Sequence, residues 1–194
     1  TGASENSFIA GAVKKIGSSS FLFPVGKDTI YNPISITAAS SATDAFRAEY
    51  FNYTQPHGFD KDSLTYLSGC EYWNIVRTAG SSNVKIELNW NASSCNIYVL
   101  STLRIARWDG VNWNNTGPVT TTGTITAGTI QTGANQSLFG DFVIAKRSPA
   151  VIANAGSNAT INLGSTASLG GAPTASGGIS PFTYQWIPDY ALSN

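Results

Sequence analysis

Asn83-Val84-Lys85-Ile86-Glu87-Leu88-Asn89-Trp90 is the stretch that decides the fold. Val84, Ile86, Leu88 and Trp90 alternate strictly with Lys85, Glu87 and Asn89. A strand points successive side chains to opposite faces, whereas a helix groups residues three and four apart, so a period of two reads as a half-buried strand. The apolar set is therefore expected in the core and Lys85, Glu87 and Asn89 in solvent. A slip of one residue would exchange the two sets.

The same reading extends outward over residues 8–146. In 45–51, Phe46, Ala48 and Tyr50 oppose Arg47 and Glu49, and residues 71–78 and 100–108 are rich in aromatic and β-branched side chains. Asp109-Gly110, between Trp108 and residues 111–114, marks a tight hairpin with glycine at a positive φ. Residues 120–131 are rich in Thr, Ile and Gly and carry no charge, and 137–146 form a last strand through Leu138, Phe142 and Ile144. No capped stretch carries apolar residues at helical spacing. A run of about eight to ten short strands separated by turn signals predicts an all-β chain, an antiparallel β-sandwich over 1–146. A linker, 147–153, leads to a partial second domain, 154–194.

Composition narrows the function classes. Only 11% of the 194 residues are charged, and 11 basic residues balance 11 acidic ones. A neutral chain without a basic stripe offers little to a phosphate backbone, so no nucleic-acid partner is expected. No apolar run approaches the roughly 20 residues that span a bilayer, so no membrane insertion is expected. The polar residues are mostly Ser, Thr, Asn and Gly, as in extracellular β-proteins. With no signal segment and no Met, the start is expected to lie upstream or to have been removed.

Two cysteines, Cys70 and Cys95, are present. In an exported chain an even count favours a disulfide over two buried thiols, and closing a loop of this length contributes about 3–4 kcal/mol in the chain-entropy picture. There is no Cys-x-x-Cys spacing and His57 is the sole histidine, so no metal site or cofactor is expected. Asp60 with Asp62, or Asp28, are thin candidates for calcium, which takes six to eight oxygens.

Glu71 and Asp109 are the acidic candidates beside aromatics, since a glycosidase needs two carboxyls flanking a sugar. Nothing fixes their separation, and Glu71 is expected to pair with Arg77, Arg104 or Arg107 at the sandwich edge. His57 reads as a loop residue, and no Gly-x-Ser-x-Gly elbow exists for a nucleophile. The chain is expected not to be an enzyme. Trp108, Asp109, Asn112 and Trp113 at the hairpin tip are the candidate glycan-binding residues, because aromatic faces stack on sugar rings. The competing reading puts Trp73, Trp90 and Trp108 in the inter-sheet core with Trp113 covering its end.

Residues 151–194 carry Asn154-Ala155-Gly156, Ala159-Thr160-Ile161-Asn162-Leu163-Gly164, Ala167-Ser168-Leu169-Gly170-Gly171, Pro173-Thr174-Ala175-Ser176-Gly177-Gly178 and Pro181-Phe182-Thr183-Tyr184-Gln185-Trp186. This pattern resembles the opening half of a polycystic kidney disease (PKD) repeat, an immunoglobulin-like sandwich of extracellular proteins. The resemblance implies about three strands, a core Trp186, and a continuation that completes the sandwich. Ile161, Leu163, Leu169, Tyr184 and Trp186 would otherwise lack an opposing sheet.

Val13-Lys14-Lys15-Ile16-Gly17, Phe21-Leu22-Phe23-Pro24-Val25-Gly26, Tyr31-Asn32-Pro33-Ile34-Ser35-Ile36, Cys70-Glu71-Tyr72-Trp73-Asn74 and Arg104-Ile105-Ala106-Arg107-Trp108 resemble a β-sandwich module of secreted and surface proteins of Bacteroidota. Such modules occur beside PKD repeats and the sorting domain of the type IX secretion system. The resemblance implies a secreted or cell-surface, non-catalytic structural or adhesive module, such as a building block of a fibre or stalk. The alternative is a carbohydrate-binding accessory module of a polysaccharide-degrading enzyme. Expected partners are other modules or copies of the same protein, by strand complementation of the half-domain, or a polysaccharide. Asp28-Thr29-Ile30 and Asp62-Ser63-Leu64 fit an O-glycosylation pattern, which makes Thr29 and Ser63 candidate acceptors. Asn52, Asn91, Asn114, Asn135 and Asn158 lie in Asn-x-Ser/Thr sequons that a bacterial source would leave bare.

Overall fold

Alternation along the chain becomes two antiparallel sheets. The structure is a computed structural model and describes residues 2–59, 61, 63–147, 151–178 and 181–187. The chain enters through β1 (Val13–Ile16) and β2 (Phe21–Phe23), then makes a short ribbon of β3 (Gly26–Lys27) and β4 (Ile30–Tyr31). β5 (Ile34–Ile36), β6 (Ala45–Phe51), β7 (Tyr66–Leu67), β8 (Tyr72–Ala79) and β9 (Ile86–Trp90) follow. A 3-10 turn, Leu100–Thr102, leads into β10 (Leu103–Trp108), β11 (Trp113–Asn115), β12 (Val119–Gly123), β13 (Gly128–Thr132) and β14 (Gly140–Lys146). The larger sheet runs β1-β6-β8-β14-β10-β11, with β7 paired to β14, and the smaller runs β12-β13-β9-β5-β2.

Between the sheets lies the main core. The larger sheet contributes Phe46, Tyr50, Trp73, Ile75, Leu103, Ile105, Phe142 and Ile144, and the smaller contributes Phe23, Ile34, Ile36, Ile86, Leu88, Trp90 and Ile130. Each such side chain taken fully from water is worth roughly 1.5–3 kcal/mol, so this layer dominates the stability. The 83–90 register is as expected: Val84, Ile86 and Leu88 are wholly buried and Trp90 is 2% exposed. Lys85, Glu87 and Asn89 are half-buried because β9 is central, flanked by β13 and β5. There Glu87 accepts hydrogen bonds from Ser35 at 3.2 Å, Thr129 at 3.4 Å and Gln131 at 3.5 Å.

Three expectations need correction. Leu138 lies outside the last strand and is 60% exposed, because β14 begins only at Gly140. The Leu100–Thr102 turn delays β10. The proposed linker 147–153 is shorter, since Ile152–Ala153 is itself a strand (β15) paired with β16 (Ala175–Ser176). The chain divides into units Thr1–Arg147 and Ser148–Asn194, close to the expected boundary, and residues 148–150 lie outside the described residues.

In the second unit the β15–β16 ladder is the one strand pair among the described residues. Hydrogen bonds from Asn154 N–H to Thr174, Gly170 N–H to Ala155 and Gly171 N–H to Asn154 extend it irregularly. Residues 181–187 form no strand, and Trp186 is 40% exposed, so it is not the core residue that the pattern implies. Ile161, Leu163, Leu169 and Tyr184 are exposed as well. With no facing sheet among the described residues of this unit, their burial has nothing to act against.

The β8–β9 turn is fixed by a buried carboxylate. Asp44 is held below the usual carboxylate range, first by the Ser82 hydroxyl and then by the backbone N–H groups of Ser81 and Ser41. Gly80 has φ +81°, and a Cβ there would lie 1.5 Å from Asp44 Oδ1. Gly80→Ala is therefore expected to lower stability by about 1–3 kcal/mol, from the left-handed backbone together with the displaced carboxylate. Urea unfolding checks this; a midpoint equal to the wild type's would refute it.

Candidate functional site

The β10–β11 hairpin pairs Trp108 with Trp113 across its two strands. Its tip is built by Asp109, whose Oδ1 accepts the N–H groups of Val111 at 2.8 Å and Asn112 at 2.7 Å. Oδ2 accepts Asn114 Nδ2 at 2.5 Å, and the Asp109 N–H donates to the Asn112 carbonyl at 3.1 Å. The backbone bonds from Asn112 and Val111, followed by Asn114, hold the Asp109 carboxyl below its ordinary range. Gly110, at φ +108°, supplies the expected positive-φ turn position.

Of the four candidate glycan-binding residues at this hairpin, the two tryptophans are taken up in packing. Trp113 is completely buried, and its indole N–H donates to the Gly58 carbonyl at 3.0 Å. Trp108 is half-buried and stacks on His57, with centroids 4.5 Å apart and rings 3° from parallel. Neither indole belongs to the inter-sheet core. Both serve a second apolar cluster, with Leu64, Leu67, Tyr72, Ala106, Val143 and Ala145, on the outer face of the larger sheet. Asp109 and Asn112 are engaged in shaping the turn.

The segment between β6 and β8 covers this outer face. His57 Nε2 lies 2.6 Å from Asp141 Oδ2, and Asp141 Oδ1 accepts Asn74 Nδ2 at 2.6 Å. Gln55 is buried and its Oε1 accepts the His57 N–H at 2.6 Å. Phe51 and Tyr72 stack at 4.5 Å, and Tyr53 meets both rings edge-on. The signal for this second core was Phe142-Val143-Ile144-Ala145, a continuous apolar run, as in strands buried on both faces. Trp113→Ala is expected to cost about 3–5 kcal/mol and to loosen residues 52–64. Thermal unfolding and limited proteolysis would detect it; unchanged cleavage of this segment would contradict the cover.

Glu71 does not pair with arginine. Arg77 donates to Ser82 O at 2.8 Å, Arg104 to Leu103 O at 2.5 Å, and Arg107 to Trp108 O at 2.8 Å. Glu71 is instead 2% exposed, its Oε2 accepting Asn32 Nδ2 at 2.7 Å and Tyr50 Oη–H at 3.0 Å. Oε1 is buried without a hydrogen-bond partner. Burial pushes the Glu71 carboxyl up; Ser94, Tyr50 and Asn32 pull the other way, although the Ser94 hydroxyl does not reach hydrogen-bond geometry with Oε1. Burial, followed by the Glu71 charge, also pushes Tyr50 far up. A carboxyl with a raised folded pKa favours the fold below its unfolded value of 4.5 and loses that contribution as pH rises through the folded value. Glu71→Gln should thus raise the Tm at pH 8 and lose this advantage by pH 4. A gain equal at both pH values would refute the assignment.

Cys70 and Cys95 form a disulfide, with Cα atoms 6.0 Å apart, that ties the approach to β8 to the loop after β9. Thr29 and Ser63 are both exposed, beside or at left-handed positions: Asp28 has φ 53° and Ser63 has φ 50°. Asp28 accepts Asn52 Nδ2 at 2.7 Å, and Asp60 and Asp62 lie outside the described residues. Among the described residues no three His, Cys, Asp or Glu side chains cluster as metal ligands, and no helix is long and apolar enough to cross a membrane.

Two shallow clefts indent the first unit. One, of about 260 Å³, lies between the 114–116 and 135–138 connections and is lined by Arg107, Asn114, Asn115, Asn135, Gln136 and Ser137. The other, of about 210 Å³, is lined by Glu5, Thr29, Tyr31, Asn91 and Ser93. Neither includes Glu71 or Asp109, the carboxyls considered from sequence. No protein-family model matches the chain, and no curated protein or solved structure shows significant similarity to it.

Proposed function

We propose that this protein is a non-catalytic structural or adhesive part of a large secreted or cell-surface protein. In this reading a β-sandwich module of the Bacteroidota type IX kind is followed by the first half of a PKD repeat. The observation that carries the reading is where the reactive and aromatic side chains go. Trp73 and Trp90 fill the inter-sheet core, Trp113 lies under the outer cover, and His57 with Asp141 anchors that cover. These groups work inward, holding a sandwich together. The disulfide supports an oxidising compartment, and two successive units suit modules arranged in series. The exposed Ile161, Leu163, Leu169, Tyr184 and Trp186 support completion of the second unit by a strand from a neighbouring module or another copy.

The alternative, a carbohydrate-binding accessory module, draws support from the polar cleft beside Arg107. Protease shaving of intact source cells, with reducing and non-reducing electrophoresis of the released protein, tests the location. The expected result is a surface-accessible, disulfide-bonded protein. A reduced pool confined inside the cell would overturn the proposal.

A further inference from the structure

We propose that the cleft between residues 114–116 and 135–138 binds one hexuronate unit of an acidic polysaccharide. This rests on the carbohydrate-binding alternative above and gives it a ligand class. The cleft lies where the chain passes between sheets: residues 116–118 carry it from β11 to β12, and 133–139 return it from β13 to β14. Its volume of about 260 Å³ falls just below the roughly 300–1,000 Å³ of drug-sized pockets, which suits a single sugar ring.

The chemistry comes from what its side chains leave unused. Arg107 gives one N–H bond to the Trp108 carbonyl and forms no ion pair with any described carboxylate. Its remaining donors form a planar fork, which matches a carboxylate bidentately. Asn115 accepts the Gly117 N–H at 3.0 Å through Oδ1, leaving its NH₂ group. Gln136 donates to Ala134 O at 3.0 Å through Nε2, leaving Oε1. The Asn135 amide and the Ser137 hydroxyl have no hydrogen-bond partner among the described residues, and both residues are exposed.

Amides and hydroxyls that both donate and accept are the complement of sugar hydroxyls, each of which does the same. One guanidinium among neutral partners therefore describes a ligand with one carboxylate and several hydroxyls. A fully ionised phosphate only accepts and would leave Gln136 Oε1 without a donor, and a simple carboxylate would leave the cleft unfilled. Asp109, whose ionised form Arg107 stabilises from a distance, is occupied by its own turn. Leu138, 60% exposed on the rim, offers an apolar wall to the C–H face of the ring.

Calorimetric titration of the whole chain with trigalacturonate and with its methyl ester tests the proposal, since the ester keeps the hydroxyls and loses the charge. The acid should bind at least about tenfold more tightly than the ester, the effect of one charge-assisted bidentate contact. Arg107→Gln should abolish that difference, and Asn135→Ala or Gln136→Ala should weaken both ligands severalfold, with unfolding curves confirming that each variant folds. The two loop substitutions keep the test valid should Arg107→Gln disturb the fold. Absence of trigalacturonate binding, equal affinity for the ester, or affinities unchanged by the loop substitutions would overturn it. None of those outcomes alters the cell-surface location, which the shaving experiment reads separately.

Discussion

The structure depends on one constraint: around β14 the larger sheet is buried on both faces. Phe142 and Ile144 of β14 point into the inter-sheet core, while Val143 and Ala145 join the outer cluster with Tyr72, Ala106 and Trp113. An antiparallel sheet often leaves one face wet, with alternating polar residues. Here that face is apolar along β14 and needs a cover. The 52–71 segment supplies one, anchored by the Trp113 bond to Gly58 and the His57 contact with Asp141. The disulfide at Cys70 restrains the far end of the same segment. The placement of the aromatic residues follows from this need.

Local patterning made the frame legible. Strict alternation in 83–90 and a looser one in 45–51 identified two strands and their inward faces, because one dry face and one wetter face impose a period of two. Asp109-Gly110 announced its hairpin through turn chemistry. Alternation is silent about a sheet with two dry faces, so Trp108 and Trp113 looked available for ligand when they were needed for packing. The partners of His57 were equally hidden, since Asp141 is distant in sequence and only the pairing of β8, β14 and β10 brings the two together. Charge complementarity misplaced Glu71: arginines flank it along the chain, yet its burial selects the neutral donors of Asn32 and Tyr50.

The two units differ in how far their own residues can satisfy them. The first gathers its buried apolar side chains into two clusters. Among its described residues the second holds one two-residue ladder and leaves Leu163 and Trp186 in solvent, although its Gly- and Pro-marked pattern resembles a sandwich domain. Short strands without a facing sheet cannot offset the entropy of ordering them. The strand addition proposed above would meet that deficit, and the same contact would join building blocks. The polar cleft lies in the first unit, where a stable framework can hold its amides in place.

Amide hydrogen exchange on the native chain tests the doubly buried sheet most directly. The Thr65 and Ser68 N–H groups donate to the Lys146 and Ile144 carbonyls of β14, both at 2.8 Å, so the cover and the sheet share hydrogen bonds. If the cover is part of the core, these two amides exchange as slowly as those of β8 and β14, through the same global opening. Exchange of Thr65 and Ser68 at loop rates, with β14 still protected, would contradict the account.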